Sequence, residues 1–364
     1  MAVSAVFASA SAVAAEVPRV VTDIAPVHAL VARVMEGVGE PEQIVRSGAS
    51  PHGYALRPSE ADALANADAV FWIGPELTPW LERTIETVAP DAEVTALLHA
   101  PGSMVMDFRE GPRFDHGGEG HDGHSDEAHV AEADDDEHDH GHDEHDHDDG
   151  HDDHEHGHKE DHGHEHDRDD DHAHDHGAEE ASGHGHGHEG HDHSGEDPHA
   201  WLDPDNAKAW LRVMAETLGR LDPANAETYA ANAEDGRAEI DAMEEEVTAT
   251  LAPLKGARFV VFHDAYHYFE HHFGLPAAGA IAEGDAADPG PARIEEVREL
   301  IRDLNVTCVL SEPTFNPDFV RTVIEGRDAR SGVIDPLGGD IEPGPDFYPA
   351  LMRDVTARLA TCAG

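Results

Sequence analysis

Between Asp115 and Asp197 the chain is not the kind of polymer that builds a core. These 83 residues hold 24 of the 32 His and 33 of the 78 Asp and Glu, with Lys159 and Arg168 as the only bases. Seven residues there are apolar, all Ala or Val, and the local charge is −31. Such a segment cannot bury enough apolar surface to offset the entropy of ordering it, so disorder is predicted. The other 281 residues carry −24 and are close to half apolar. That is an ordinary globular composition, long enough for two cores of about 130 residues each.

The total charge of −55 repels a phosphate backbone and an anionic lipid surface, which excludes nucleic acid and membrane surfaces as partners. No apolar run reaches the roughly 20 residues of a spanning helix, so no membrane insertion is expected. Met1–Ala15 is apolar and small, with Val13 and Ala15 at the −3 and −1 positions of a cleavage site before Glu16. It reads as the end of an export signal, although a basic leading region is missing. The two Cys, Cys308 and Cys362, are too few for a disulfide scaffold. They are either unrelated thiols or a bridge that pins the last helix to the second lobe, as an oxidising compartment would permit.

The ordered parts alternate strand and helix. In residues 16–114 strands are predicted at Arg19–Thr22, Gln43–Arg46, Ala69–Ile73 and Glu93–Thr95, separated by helices. Residues 198–221 return to this first lobe, and structure is expected to resume at Asp197. Residues 222–253 read as one linker helix, capped by Asp222 and Pro223, with Tyr229, Ala233, Ile240, Met243, Val247 and Leu251 on one face. Residues 254–364 repeat the βα rhythm, with Phe259–Phe262 as a strand and His263–Phe273 as a helix. The predicted fold class is α/β: two (β/α) lobes with parallel sheets, joined by one long rigid helix and interrupted by a disordered His/Asp-rich insertion.

Eight His lie outside the insertion. Three stand where strand ends and loops concentrate chemistry: His52 in GASPHGYALRP, His199 in DPHAWLDP and His263 in VVFHDAYHYF. Neutral imidazoles suit Zn²⁺ in a tetrahedral site, leaving a fourth position for a carboxylate or water. Trp201, Trp72 and Phe262 are expected to wall such a site. His263, His267 and His271 also fall at i, i+4 and i+8, a spacing that a helix face would share. His28 and His99 read as structural.

These segments carry a resemblance. GASPHGYALRPSEADALANADAVFWIGPEL, DPHAWLDP, FVVFHDAYHYF, CVLSEPTF and IDPLGGDI resemble the ZnuA-type zinc-binding components of ABC importers, in order, over Val17–Gly364. The resemblance implies a metal buried between two lobes, with His52, His199 and His263 as zinc ligands. It also implies a Cys308–Cys362 bridge. Asp335 is the first candidate for a fourth ligand, with water as the alternative. Glu312 is a weaker candidate, or a carboxylate that orients a ligand. The implied function is a periplasmic protein, not an enzyme, that binds Zn²⁺ and delivers it to a membrane permease with its cytoplasmic ATPase. A monomer is expected. Two other readings are a standalone zinc buffer or chaperone and, less well supported because no HExxH motif is present, a zinc hydrolase.

Within the insertion His138, His140, His142, His145, His147, His151, His154, His156 and His158 are the densest auxiliary metal-binding residues. Protons compete with metal for imidazole near its usual pKa of about 6.5. The full chain should therefore bind several Zn²⁺ at pH 7.5 and shed most of them by pH 5.5 in equilibrium dialysis. Full retention at pH 5.5 would contradict this reading.

Overall fold

The computed structural model describes residues 17–109, 111–114, 195–282 and 288–364. The export signal, the predicted disorder and the auxiliary histidines lie outside the described residues. Two four-stranded parallel sheets carry the fold. The first has β1 (Val20–Thr22), β2 (Glu42–Gln43), β3 (Ala69–Trp72) and β4 (Glu93–Ala96), in the order β2-β1-β3-β4. The second has β5 (Phe259–Val261), β6 (Gly279–Ala280), β7 (Cys308–Ser311) and β8 (Arg330–Val333), in the corresponding order β6-β5-β7-β8.

The central strands read as continuous apolar runs because helices cover both faces of a parallel sheet. β3 is buried along its whole length. In the second sheet the faces separate with period two: Phe259 and Val261 join one apolar cluster, while Val260 and Phe262 join another. The first lobe's helices are α1 (Ala25–Val34), α2 (Pro58–Ala65) and α3 (Pro79–Val88). All three have Pro in the first turn, where a missing N–H costs nothing.

Beyond the insertion, α4 (Pro204–Leu221) leads into α5 (Ala226–Leu251). The 26 residues of α5 span about 39 Å at 1.5 Å per residue. The second lobe adds α6 (His267–Phe273), α7 (Pro291–Asp303), α8 (Asp318–Ile324) and α9 (Phe347–Ala363). The predicted apolar face of α5 is buried, and Gly236 joins it. A side chain at Gly236 would meet Arg33 Cγ at 3.0 Å and Leu211 Cδ1 at 3.1 Å, so α1, α4 and α5 approach closely there. Arg33 also grips Glu239 with two hydrogen bonds of 3.0 and 2.8 Å. Farther along, Arg353 of α9 pairs with Glu246 at 2.6 Å. The helix is thus clamped along its length by elements of both lobes.

Several expected boundaries move. β2 covers only Glu42–Gln43; Ile44 and Val45 follow it, buried, with their N–H groups donating to Thr22 O and Asp23 O. Asp222 does not cap α5. Asn225 occupies the N-cap position without a side-chain cap bond, and the Asp222 carboxylate accepts from Asn225 Nδ2 and the Tyr229 hydroxyl. α6 begins at His267, not His263, because His263 and Asp264 are held by Glu312 and Arg109 from other segments. The i, i+4, i+8 histidines therefore do not form one helical stripe. The short β6 was not expected from sequence. The described residues begin again at Gly195, where Phe108 N bonds Gly195 O and Asp107 bridges Glu196. Cys308 of β7 and Cys362 of α9 are disulfide-bonded across 54 residues. Closing such a loop contributes roughly 4 kcal/mol in the chain-entropy treatment.

His272 of α6 links three elements. Its Nδ1 lies 3.3 Å from Asp203 Oδ1 at the start of α4, and its Nε2 lies 2.8 Å from Glu244 Oε1 of α5. Burial lowers its pKa, but the Asp203 hydrogen bond and the charges of Asp203, Glu244 and Asp205 outweigh it, and the net shift is upward. The folded state thus favours the imidazolium. Its stabilisation is full below the unfolded pKa of about 6.5 and is lost as pH rises through the raised folded value. The stability gap between the wild type and His272→Gln should therefore shrink from pH 6 to pH 9 in urea unfolding. A gap that grows over this range would contradict the assignment.

Candidate metal site

The second sheet changes winding direction beside β5, whose neighbours are β6 and β7. Ligand sites of open parallel sheets form at such points, beyond the carboxyl ends of the strands. His263 follows β5, Glu312 follows β7, and Asp335 lies just past β8. The first lobe supplies His52 from the loop after β2, and His199 from the residue before a 3₁₀ turn at Ala200–Leu202. All five line one cavity of about 30 Å³, together with Trp201, Thr314 and Phe315. That volume suits a single ion and a water or two.

The rings are close. The His199 centroid lies 6.0 Å from that of His52 and 5.3 Å from that of His263. His199 and His263 are buried, while His52 is half-buried. Asp197 Oδ1 lies 2.7 Å from His199 Nδ1, and Glu312 Oε1 lies 2.7 Å from His263 Nδ1. A carboxylate at Nδ1 fixes the proton there and makes Nε2 the lone-pair donor. The half-exposed His52 is steadied differently, since Trp80 Nε1 donates to Pro51 O at 2.8 Å and anchors its loop.

Asp335 accepts from the backbone N–H of Leu337 at 2.9 Å and of Gly339 at 2.7 Å. Each oxygen retains a further lone pair. The buried Tyr266 hydroxyl has no hydrogen-bond partner among the described residues, and burial, with the charges of Glu312 and Asp335, pushes its pKa well up. Trp201 walls the cavity as expected and bonds Pro336 O across it at 2.9 Å. Trp72 does not; it is buried within β3. Phe262 stands one layer back, stacked on Phe315 at 4.2 Å, and Phe315 is the ring that meets His263.

The sequence profile of a family described as zinc-uptake complex component A, periplasmic (ZnuA), matches residues 20–362. The chain belongs to this family. It is 42% identical to the high-affinity zinc uptake system protein ZnuA of Brucella abortus (strain 2308), over 97% of this chain and 93% of that protein. It is 44% identical to the protein of the same name from Paracoccus denitrificans (strain Pd 1222), over 96% and 93%. A crystal structure of ZnuA shares the fold with a TM-score of 0.64 and 16% identity, covering 95% of this chain and all of that one.

Sequence reading overlooked Asp197, although the D-P-H spacing places a carboxylate two residues before His199. It also overlooked Arg109. This guanidinium pairs with Asp264, the neighbour of His263, and lies 2.6 Å from Glu270 Oε2. Arg109 also lies 3.7 Å above the Phe114 ring. All three charged side chains are largely buried. Removing the cation would strand two carboxylates at a cost of about 3–5 kcal/mol. Arg109→Met should lower the unfolding free energy by that amount, and adding Asp264→Asn and Glu270→Gln should recover most of it. Denaturant curves of the single and triple variants measure both effects; an unchanged single variant contradicts the pairing.

Proposed function

We propose that the chain is a periplasmic solute-binding protein that captures one Zn²⁺ with His52, His199 and His263 and delivers it to an ABC permease and its ATPase. Asp335 or a water completes the tetrahedron. The observation that carries this reading is the convergence of three histidines from separate segments of both lobes on one ion-sized cavity. Nitrogen donors favour zinc over the harder divalent ions, which prefer oxygen. The Asp197 and Glu312 carboxylates act as positioning groups that hold their imidazoles in one tautomer.

Family membership and the 42–44% identity to zinc uptake proteins support the cargo and the compartment. Among the described residues no helix is long and apolar enough to cross a membrane. Capture needs no covalent step. Release requires a change of geometry imposed by the permease, because a neutral three-His site does not let zinc go readily. The clamped α5 and the Trp201–Pro336 hydrogen bond favour small lobe movements over a wide hinge.

Competition with a tight chelator tests this in the full chain. The wild type should show one site far tighter than all others. Glu312→Gln should weaken it roughly 10–100-fold, and His199→Ala or His263→Ala should weaken it more. Retention of the tight site in both His→Ala variants would sink the proposal and favour a buffer built on the insertion alone.

A further inference from the structure

A second group of donors converges outside the cleft. Glu76 follows β3, His99 follows β4, and Glu196 lies in the segment through which the chain returns from the His-rich insertion. His99 Nε2 is 3.1 Å from Glu76 Oε1 and 3.2 Å from Glu196 Oε2. One donor atom from each residue lies within 4.8 Å of the others. Two ligands held about 2.0–2.1 Å from a tetrahedral zinc are separated by about 3.3 Å, so these spacings are those of a coordination shell.

Hydrogen bonding alone serves the group poorly. A neutral imidazole nitrogen has one proton or one lone pair, yet Nε2 faces two carboxylates. Among the described residues Glu76 Oε2 is buried without a hydrogen-bond partner. It occupies space left by Gly74, where a Cβ would come within 2.4 Å of it. Gly74, at φ +150°, thus leaves room for the carboxylate. A cation at Oε1 would offset that charge. The comparable convergence of Asp203, Asp205 and His272 already has its cation, since Lys208 Nζ lies 2.9 Å from Asp205 Oδ1.

We propose that Glu76, His99 and Glu196 form a second, exchangeable divalent-cation site that takes Zn²⁺ through one nitrogen and two oxygens. With side chains 22–46% exposed, ions can enter and leave directly from solvent. One nitrogen donor in place of three makes it weaker than the cleft. Its position at Glu196 sets it where the chain leaves the insertion, two residues beyond Ser194. The site does not depend on the cleft being a zinc site.

Crystals of the full chain soaked in Zn²⁺ and measured on both sides of the zinc absorption edge test it. Two anomalous peaks are expected, one in the cleft and one between His99 Nε2, Glu76 and Glu196. His99→Ala should lose the second peak and keep the first, and Glu196→Gln should weaken the second. A cleft peak alone in saturated wild-type crystals overturns the proposal; a peak at His99 alone overturns the cleft reading instead. In solution, Zn²⁺ added beyond the first equivalent should slow hydrogen exchange at residues 97–100 and 195–197. The same slowing in His99→Ala would overturn the second site.

Discussion

Two buried imidazole–carboxylate pairs, His199 with Asp197 and His263 with Glu312, are the contacts on which the cleft depends. A carboxylate buried alone is costly, and so is an imidazole N–H with no acceptor. In each pair one carboxylate oxygen meets the ring Nδ1 at 2.7 Å, although Asp197 Oδ2 is buried with no hydrogen-bond partner among the described residues. Each pair also joins two tasks. It lets polar groups sit deep between apolar walls, and it selects the ring nitrogen that faces outward. Those walls are themselves held by hydrogen bonds across the cleft, from Trp201 to Pro336 and from the Tyr348 hydroxyl to Trp201 O at 2.9 Å.

The long helix takes on a different character in three dimensions. As a sequence pattern α5 is a strut with one apolar stripe. In the fold it is the seam along which α1 and α4 meet α9, with Gly236 permitting the closest approach. Stiffness follows from that packing more than from the helix itself, because isolated helices are only marginally stable in water. A binding protein built this way gains little from wide hinge motion. Its selectivity must rest on donors set in place before the ion arrives.

What was legible in the sequence follows from local physics. The βα rhythm, the apolar strands and the spacing on α5 are periodic signals, and they give the two-lobe α/β fold. His52, His199 and His263 stood out because each sits beside Pro or aromatic residues at a strand or helix boundary. What stayed hidden depends on tertiary contacts. Asp222 has every local mark of a helix cap, yet it is taken by Tyr229 and Asn225. His263 continues a helical spacing, yet Glu312, 49 residues away, pulls it out of the helix. Arg109 looks like an ordinary base in an acidic chain, and only the fold sets it between Asp264 and Glu270.

The abundance of histidine in the insertion and its scarcity in the lobes describe two ways of binding an ion. Many imidazoles on a polyanion would offer numerous weak sites, because each must shed protons before it can coordinate. Imidazoles fixed by carboxylates and packed at a tilt against Trp201 and Phe315 are already placed by folding. The advantage of the second arrangement is preorganisation, which raises affinity without adding ligands. It also explains why counting histidines misleads here: 24 of 32 lie in the insertion, while the cleft is built from three. The information that distinguishes them lies in their neighbours, in Asp197, Glu312 and the rings beside them.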